Sequence, residues 1–275
     1  MTVAHADESS APASGNDAAN PEGRHRLRLL SYNIQTGVTT RHYRHYVTQS
    51  WKHVLPHPER FDNLNQIADL IYSYDLVGLQ EVDAGSLRSG FINLTEYLAQ
   101  RADFPYWYDQ TNRRVGGIAR HSIGMLSRFR PTEIIEHRLP GKIPGRGVLL
   151  IRFGGHQDPL VLLIMHLALS RSGRMRQIAY VSELVNRYRH VILMGDLNCR
   201  SDSPEMNQLI SNTLMREPIH GLHTFPSWRP ARNIDHILVT PTLKVESAVV
   251  LDCPVSDHLP VAMEVSLPES VRLAG

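Results

Sequence analysis

Apolar positions along this chain fall into two rhythms. Short runs that read as strands include RLRLLSYNI (26–34), DLVGLQE (75–81), IGMLSRF (123–129), GVLLIRF (147–153), LVLLIMH (160–166) and VILMGD (191–196). IDHILV (234–239), KVESAVV (244–250) and LPVAMEVSL (259–267) continue the series. Between them lie segments of helical period. In RFDNLNQIADLIYSY (60–74), Leu64, Ile67, Ala68 and Ile71 share one face. In SRSGRMRQIAYVSELVNRY (170–188), Ile178, Val181, Leu184, Val185 and Tyr188 do the same, and INLTEYLAQR (92–101) is a third helix. Ser203 before Pro204 marks a helix start, a capping hydroxyl followed by a residue that needs no N–H partner there. Strands in consecutive pairs with helices interspersed predict an α/β fold with two sheets rather than one parallel sheet.

Composition narrows this picture modestly. With 275 residues and 42% apolar content the chain can build a full core, and its net charge of +2 gives no strong pull toward nucleic acid or membranes. The longest apolar stretch, PLVLLIM (159–165), is strand-sized, so no transmembrane helix is expected. Two cysteines, Cys199 and Cys253, form neither a disulfide framework nor a zinc motif, which fits a reducing, cytoplasmic setting. Residues 1–23, rich in Ala, Ser, Gly, Asp and Asn, read as a disordered tail; 24–268 as the folded domain; and 269–275 as a C-terminal tail. The irregular, aromatic and His-rich segment 38–58 is long for a connection and is a candidate binding loop.

What stands out is how the strands end. Asn33 closes the first, Glu81 closes DLVGLQ, and His166 closes LVLLIM. Asp196 and Asn198 follow VILMG, Asp235 and His236 lie inside RNIDHILV, and Asp257 and His258 precede the last strand. One carboxylate at a strand end is ordinarily a turn residue. Six such places in one chain, all bearing groups that bind a cation, move a proton or hold a phosphate, are hard to assign to turns.

Taken in order, SYNI, LQE, HLAL, GDLN, IDHILV and SDHLP resemble the motifs of the endonuclease/exonuclease/phosphatase superfamily, and the likeness runs from about Arg26 to Leu267. That group contains DNase I-like nucleases, AP endonucleases, inositol polyphosphate 5-phosphatases and neutral sphingomyelinases. The resemblance implies a four-layer α/β sandwich, two mainly antiparallel sheets flanked by helices, with the active site at one edge. It also implies Mg²⁺-dependent hydrolysis of a phosphate ester, with Mn²⁺ as a substitute. Glu81 matches the principal metal ligand, and Asn33 and Asp257 match residues that complete or support that site. Asp196 matches the residue that orients and deprotonates the attacking water, and Asn198 is placed to donate to a phosphate oxygen. His258 matches the histidine on the scissile phosphate, Asp235 its carboxylate partner, and His166 a stabiliser of the transition state or leaving group. Asp83, His236, Cys199 and Asp252 match no role and are read as structural. Gln35 stands where AP-endonuclease-like members carry an acid, which weakens the case for a second metal near the first strand and for DNA repair.

Other hydrolytic and nucleotide-binding classes lack their motifs. The chain has no G-x-S-x-G, no G-x-x-x-x-G-K-[ST], no H-E-x-x-H and no paired C-x-x-C. A catalytically degenerate phosphate-binding module is the non-enzyme alternative, and it is disfavoured because every matched side chain stands. Three substrate classes stay open: a small or lipid-linked phosphate ester, a nucleic acid, and a soluble inositol phosphate. HLALSRSGRMRQ and TFPSWRPARNIDHILV are more like bacterial members and the branch related to GPI-lipid remodelling proteins than like AP endonucleases. Arg113, Arg114, Arg120, Arg171, Arg174 and Arg176 are the candidate phosphate contacts for a nucleic acid.

Overall fold

A computed structural model describes residues 26–37, 59–115, 119–141, 145–218 and 221–275. The expected tail at 1–23, the segment 38–58, and the side chains of Arg113, Arg114 and Arg120 lie outside the described residues. Eleven strands and four α-helices follow one another as β1 (Arg26–Asn33), α1 (Glu59–Ile71), β2 (Leu76–Asp83), α2 (Leu94–Arg101), β3 (Tyr106–Val115), β4 (Ala119–Ser127), β5 (Pro131–Arg138) and β6 (Gly147–Phe153) among the described residues. They continue as β7 (Leu160–His166), α3 (Arg171–Val185), β8 (His190–Asp196), α4 (Pro204–Asn212), β9 (Asp235–Val239), β10 (Lys244–Val250) and β11 (Val261–Ser266).

Two sheets form, in the orders β10-β11-β1-β2-β4-β3 and β5-β6-β7-β8-β9. Every neighbouring pair is antiparallel except β1–β2 and β7–β8. A parallel pair needs a long crossover, and here α1 and α3 supply it. The expected α/β sandwich of mainly antiparallel sheets is therefore present, although the sequence reading missed β3 and β5. β5 has no buried residue and β3 only Gln110 among its described side chains, so neither carries an apolar alternation.

The core has three parts, and their order gives the four layers. Leu64, Ile67, Ala68 and Ile71 of α1 pack with Leu94 and Leu98 of α2 on one face of the first sheet. Between the sheets lie Leu29, Leu76, Met125, Leu149, Leu162, Ile192 and Met263. Ile178, Val181, Leu184 and Val185 of α3 and Met206 and Leu209 of α4 cover the outer face of the second sheet. Each fully buried aliphatic side chain contributes about 1.5–3 kcal/mol over an exposed one. β7 and β8 are buried along their whole length because both faces are covered, which is why they read as unbroken apolar runs. The sheets approach closely at Gly78, where a Cβ would stand 2.6 Å from the Met194 sulfur. The helix cap at Ser203 is as expected, its side chain accepting from Met206 N at 3.2 Å. After β11 the chain has no further helix or strand but lies against the body, with Val271 in the core and the Ala274 carbonyl accepting from Arg130 N.

Candidate active site

Topology explains why six sequence-distant places share one rim. β1 and β2 run parallel, and their pairing ends with Asn33 opposite Gln80, while β2 runs on to Asp83. β7 and β8 end together, with His166 opposite Asp196. β9 is antiparallel to β8, so its first residue, Asp235, stands beside the last of β8, Asp196. β11 is antiparallel to β1, with Val261 opposite Ser31, so the Ser256–His258 turn arrives beside Asn33. The Ser256 hydroxyl fixes that arrival by donating to the Asn33 carbonyl at 2.7 Å.

Local backbone then aims the side chains. The pairing of β2 with β4 slips between Leu79 and Val82, and within that bulge Glu81 takes a left-handed φ of 56°. A bulge re-aims one side chain at the end of a ladder, and left-handed φ at a residue other than Gly or Asn is strained. Gln80 stays wholly buried while Glu81, 33% exposed, turns to the rim. Beneath it the Thr36 hydroxyl donates to the Glu81 carbonyl at 3.0 Å. On β8, Gly195 has φ 146° and lies so close to β7 that a Cβ would run into the Met165 carbonyl oxygen. The glycine of the GDLN motif is therefore required by strand approach. Asp196 Oδ1 accepts from Asn198 N at 2.8 Å, a turn contact, and Oδ2 faces the rim.

Two linked groups result. Asn33 Nδ2 lies 3.4 Å from Glu81 Oε1 and 3.2 Å from Asp196 Oδ2, while Asn33 Oδ1 accepts from Gln35 N at 3.2 Å. The amide thus holds the two carboxylates with its NH₂ and keeps its oxygen for the backbone. His166 Nε2 sits 3.3 Å from Asp196 Oδ2 and 3.9 Å from Glu81 Oε1. Across the rim His258 Nδ1 and Asp235 Oδ2 are 2.8 Å apart, and the Thr224 hydroxyl donates to the same oxygen at 2.5 Å. The Phe225 ring packs against His258 at 4.8 Å between centroids. Side-chain atoms of Asp196, Asp235 and His258 lie within 4.8 Å of one another, which joins the groups. Asp257 is buried beside them, its Oδ1 3.3 Å from the Ser256 hydroxyl. Asn198 already donates to the Leu167 carbonyl at 3.1 Å, which leaves one amide hydrogen for a ligand.

Electrostatics sharpen the picture. Burial resists ionisation of Asp196, but the charge and hydrogen bond of His166, with His258 and the Asn198 N–H, hold its carboxyl far below the usual carboxylate range. Burial also resists the charge on Glu81, and again His166 and His258 outweigh it and lower its pKa. For His258 burial disfavours the imidazolium, yet the Asp235 carboxylate raises its pKa to about 10. The rim therefore presents two anionic carboxylates facing a fixed imidazolium.

The remaining residues sort cleanly. Asp83 binds the Ser86 N–H and both Ser86 and Ser89 hydroxyls, and His236 bridges Glu217 and the Cys199 carbonyl. Sequence reasoning did not single out Thr224 or Ser256. Nothing in the spacing of Thr224 signals its role, since it reaches Asp235 only because the 224–232 loop closes through the Phe225–Arg232 bridge. Ser256 lies inside the SDHLP motif, and that is the one signal it had.

The profile of the Endonuclease/Exonuclease/phosphatase family matches residues 30–258. Among curated proteins none matches the sequence significantly. Solved structures share the fold. An endonuclease/exonuclease/phosphatase from Beutenbergia cavernae superposes with a TM-score of 0.70 at 22% identity, over 89% of this chain and 72% of that one. A Bacteroides thetaiotaomicron mannosyl-6-phosphatase gives 0.64 at 18% identity, over 87% and 99%. The human Nocturnin catalytic domain with bound sulfate gives 0.63 at 16% identity, over 92% and 100%. At such identities the likeness establishes architecture alone. The profile match, however, takes in every strand end at this rim from Asn33 to His258, and by it the chain belongs to the endonuclease/exonuclease/phosphatase family, whose members include phosphatases, nucleases and phosphodiesterases.

Proposed function

We propose that this chain is a divalent-metal-dependent phosphoesterase that hydrolyses a small phosphodiester or phosphomonoester with an activated water. The observation that carries the reading is the meeting, at one rim, of the Asn33–Glu81–Asp196–His166 group and the Asp235–His258 pair. Phosphate-ester hydrolysis needs an acceptor for the water proton, cations for the phosphate oxygens and help for the leaving oxygen.

The donor set suits a hard cation. Glu81 and Asp196 bring two anionic carboxylates to the two sides of one amide group, and oxygen-rich, negatively charged sites of this kind prefer Mg²⁺ or Mn²⁺. Glu81 would hold the ion, with Asn33 and Asp257 supporting the site, and the bound ion would neutralise charge on the phosphate. Asp196 aligns the attacking water and takes its proton as the new P–O bond forms. Asn198 gives its remaining amide hydrogen to a phosphate oxygen. His258, kept charged by Asp235, donates from Nε2 to a phosphate oxygen as negative charge grows there. His166, beside Asp196, attends the leaving oxygen as the old P–O bond breaks.

A small substrate is favoured by the space at the rim. Glu81 and His166 open into a cavity of about 550 Å³, the scale of small-molecule sites rather than of a duplex groove. Among structural neighbours, one is a sugar phosphatase and another holds a sulfate, a tetrahedral anion like phosphate, which supports a phosphate site here. The test is a turnover panel with Mg²⁺ over nitrophenyl phosphates, sugar phosphates, phospholipid head-group esters, duplex and single-stranded DNA, and RNA. Turnover of a small ester with shallow salt dependence is expected. Tight nucleic-acid binding that falls by about 10³–10⁵ between 50 and 200 mM salt, with efficient cleavage, would put a nuclease in its place.

A further inference from the structure

The cavity beside Glu81 and His166 extends away from the strand ends, between β4, the approach to β6 and the first turns of α3. Its charged lining is one-sided. Apart from Glu81 at the rim, no described lining residue carries a carboxylate, while Arg146, Arg176, His121 and His166 all face it. A wall of this kind attracts an anion, and a guanidinium is the side chain best shaped to grip a phosphate.

The structure also ranks arginines that the sequence could not. Arg174 is committed: its Nε and Nη2 bind Glu205 at 3.0 and 2.7 Å, and its Nη1 donates to the Ala168 and Leu169 carbonyls at 3.3 and 2.6 Å. It therefore pins the loop after β7 to α4 and shapes the cavity wall. Arg171 is exposed and does not line the cavity. Arg176 lines it, is exposed, and has no hydrogen bond or ion pair to another described residue, so its donors are available to a ligand.

We propose that this cavity is a second anion subsite, which receives a leaving group carrying its own phosphate, and that Arg176 is the residue that selects such substrates. The inference rests on the phosphoesterase reading above and narrows it to small molecules phosphorylated at two places. One phosphate is attacked at the strand-end rim; the other is held, unreacted, by the arginine wall.

The experiment compares matched pairs: adenosine 3′,5′-bisphosphate against adenosine 3′-monophosphate, and glucose 1,6-bisphosphate against glucose 1-phosphate. For each pair kcat/KM with Mg²⁺ is measured, and binding of each bisphosphate in EDTA is followed by calorimetry. The wild type is expected to prefer the bisphosphate of at least one pair by tenfold or more. Arg176→Ala should reduce that preference, and the calorimetric affinity, by about ten- to a hundredfold, the scale of one charge-assisted hydrogen-bond pair. Arg187→Ala, which removes an exposed charge elsewhere on the chain, should leave the preference as it was. The scaffold that is preferred identifies whether the substrate is nucleotide-like or sugar-like. No bisphosphate preference for either scaffold in the wild type, or the same preference and affinity in Arg176→Ala, would overturn the subsite. Absence of turnover for every ester, with bisphosphate binding still dependent on Arg176, would instead overturn the phosphoesterase reading and leave the subsite standing.

Discussion

Replacing Asp235 by asparagine removes one negative charge from the His258 pair and almost nothing else. The two side chains are 8% and 1% exposed, and their polar atoms are 2.8 Å apart. Opposite charges with centres about 4 Å apart attract by about 4 kcal/mol at an effective dielectric constant of about 20, roughly a thousandfold bias toward the protonated ring. That attraction is the largest of the influences that outweigh burial, and the hydrogen bond to Asp235 with the charges of Asp196 and Asp257 completes the rise of the His258 pKa to about 10. Asparagine keeps the shape and can still accept from Thr224 or His258, but burial then acts against the imidazolium with only Asp196 and Asp257 opposing it. In Asp235→Asn, kcat/KM at pH 7 on bis-p-nitrophenyl phosphate should fall by about 10²–10³. The alkaline limb of its pH profile should move from near 10 in the wild type toward the ordinary histidine range. Thr224→Val, which removes only the second hydrogen bond to Asp235, should shift the limb far less. The assay is a kcat/KM profile from pH 5 to 10 with Mg²⁺ present. An alkaline limb in Asp235→Asn that coincides with the wild-type one would refute the charge-pair account of His258.

Other outcomes follow from the same geometry. Asp196→Asn should keep its circular dichroism spectrum and lose turnover by at least about 10²–10⁴, because the water loses its proton acceptor; activity near wild type would exclude that role. Gly195→Ala should lower thermal stability by at least about 2 kcal/mol, roughly 4–8 °C in Tm, since its Cβ meets the Met165 carbonyl and its φ of 146° disfavours alanine; an unchanged Tm would show that the β7–β8 approach is looser than described. Both ring nitrogens of His236 face acceptors, Glu217 and the Cys199 carbonyl, and although burial opposes its charge, Glu217 raises its pKa. Its contribution to stability should thus be full below the unfolded-state pKa of about 6.5 and decline as pH rises through the higher folded value. Urea midpoints measured across that range should fall in the wild type and fall less in His236→Gln; parallel slopes would contradict this.

Much of the site was legible because each key residue closes or opens an apolar run. Asn33, His166 and Asp196 mark strand ends directly, Glu81 sits in a bulge two residues before the end of β2 rather than closing it, and Asp235 and His258 become their neighbours once β9 and β11 are known to run antiparallel. What stayed hidden depends on geometry that no local pattern encodes. The bulge that turns Glu81 rather than Gln80 to the rim involves a register slip against β4, far away in sequence. The amide of Asn33 faces two carboxylates only because two sheets meet. Arg174 and Arg176 are equivalent in sequence, yet Glu205 on α4 claims the first and leaves the second to the cavity. β3 and β5 escaped because, Gln110 apart, none of their described side chains is buried, so neither carries an apolar rhythm.

The central claim is that this rim hydrolyses phosphate esters with a divalent cation held at Glu81 and a water aligned by Asp196. It is tested most directly by turnover of bis-p-nitrophenyl phosphate by the full chain after exhaustive dialysis against EDTA, before and after adding Mg²⁺ or Mn²⁺, with Glu81→Gln alongside. The account predicts no turnover in EDTA, recovery with either cation, and in Glu81→Gln a recovery that needs far more cation. Full turnover in EDTA, or a Glu81→Gln enzyme with the wild-type cation requirement, would contradict it.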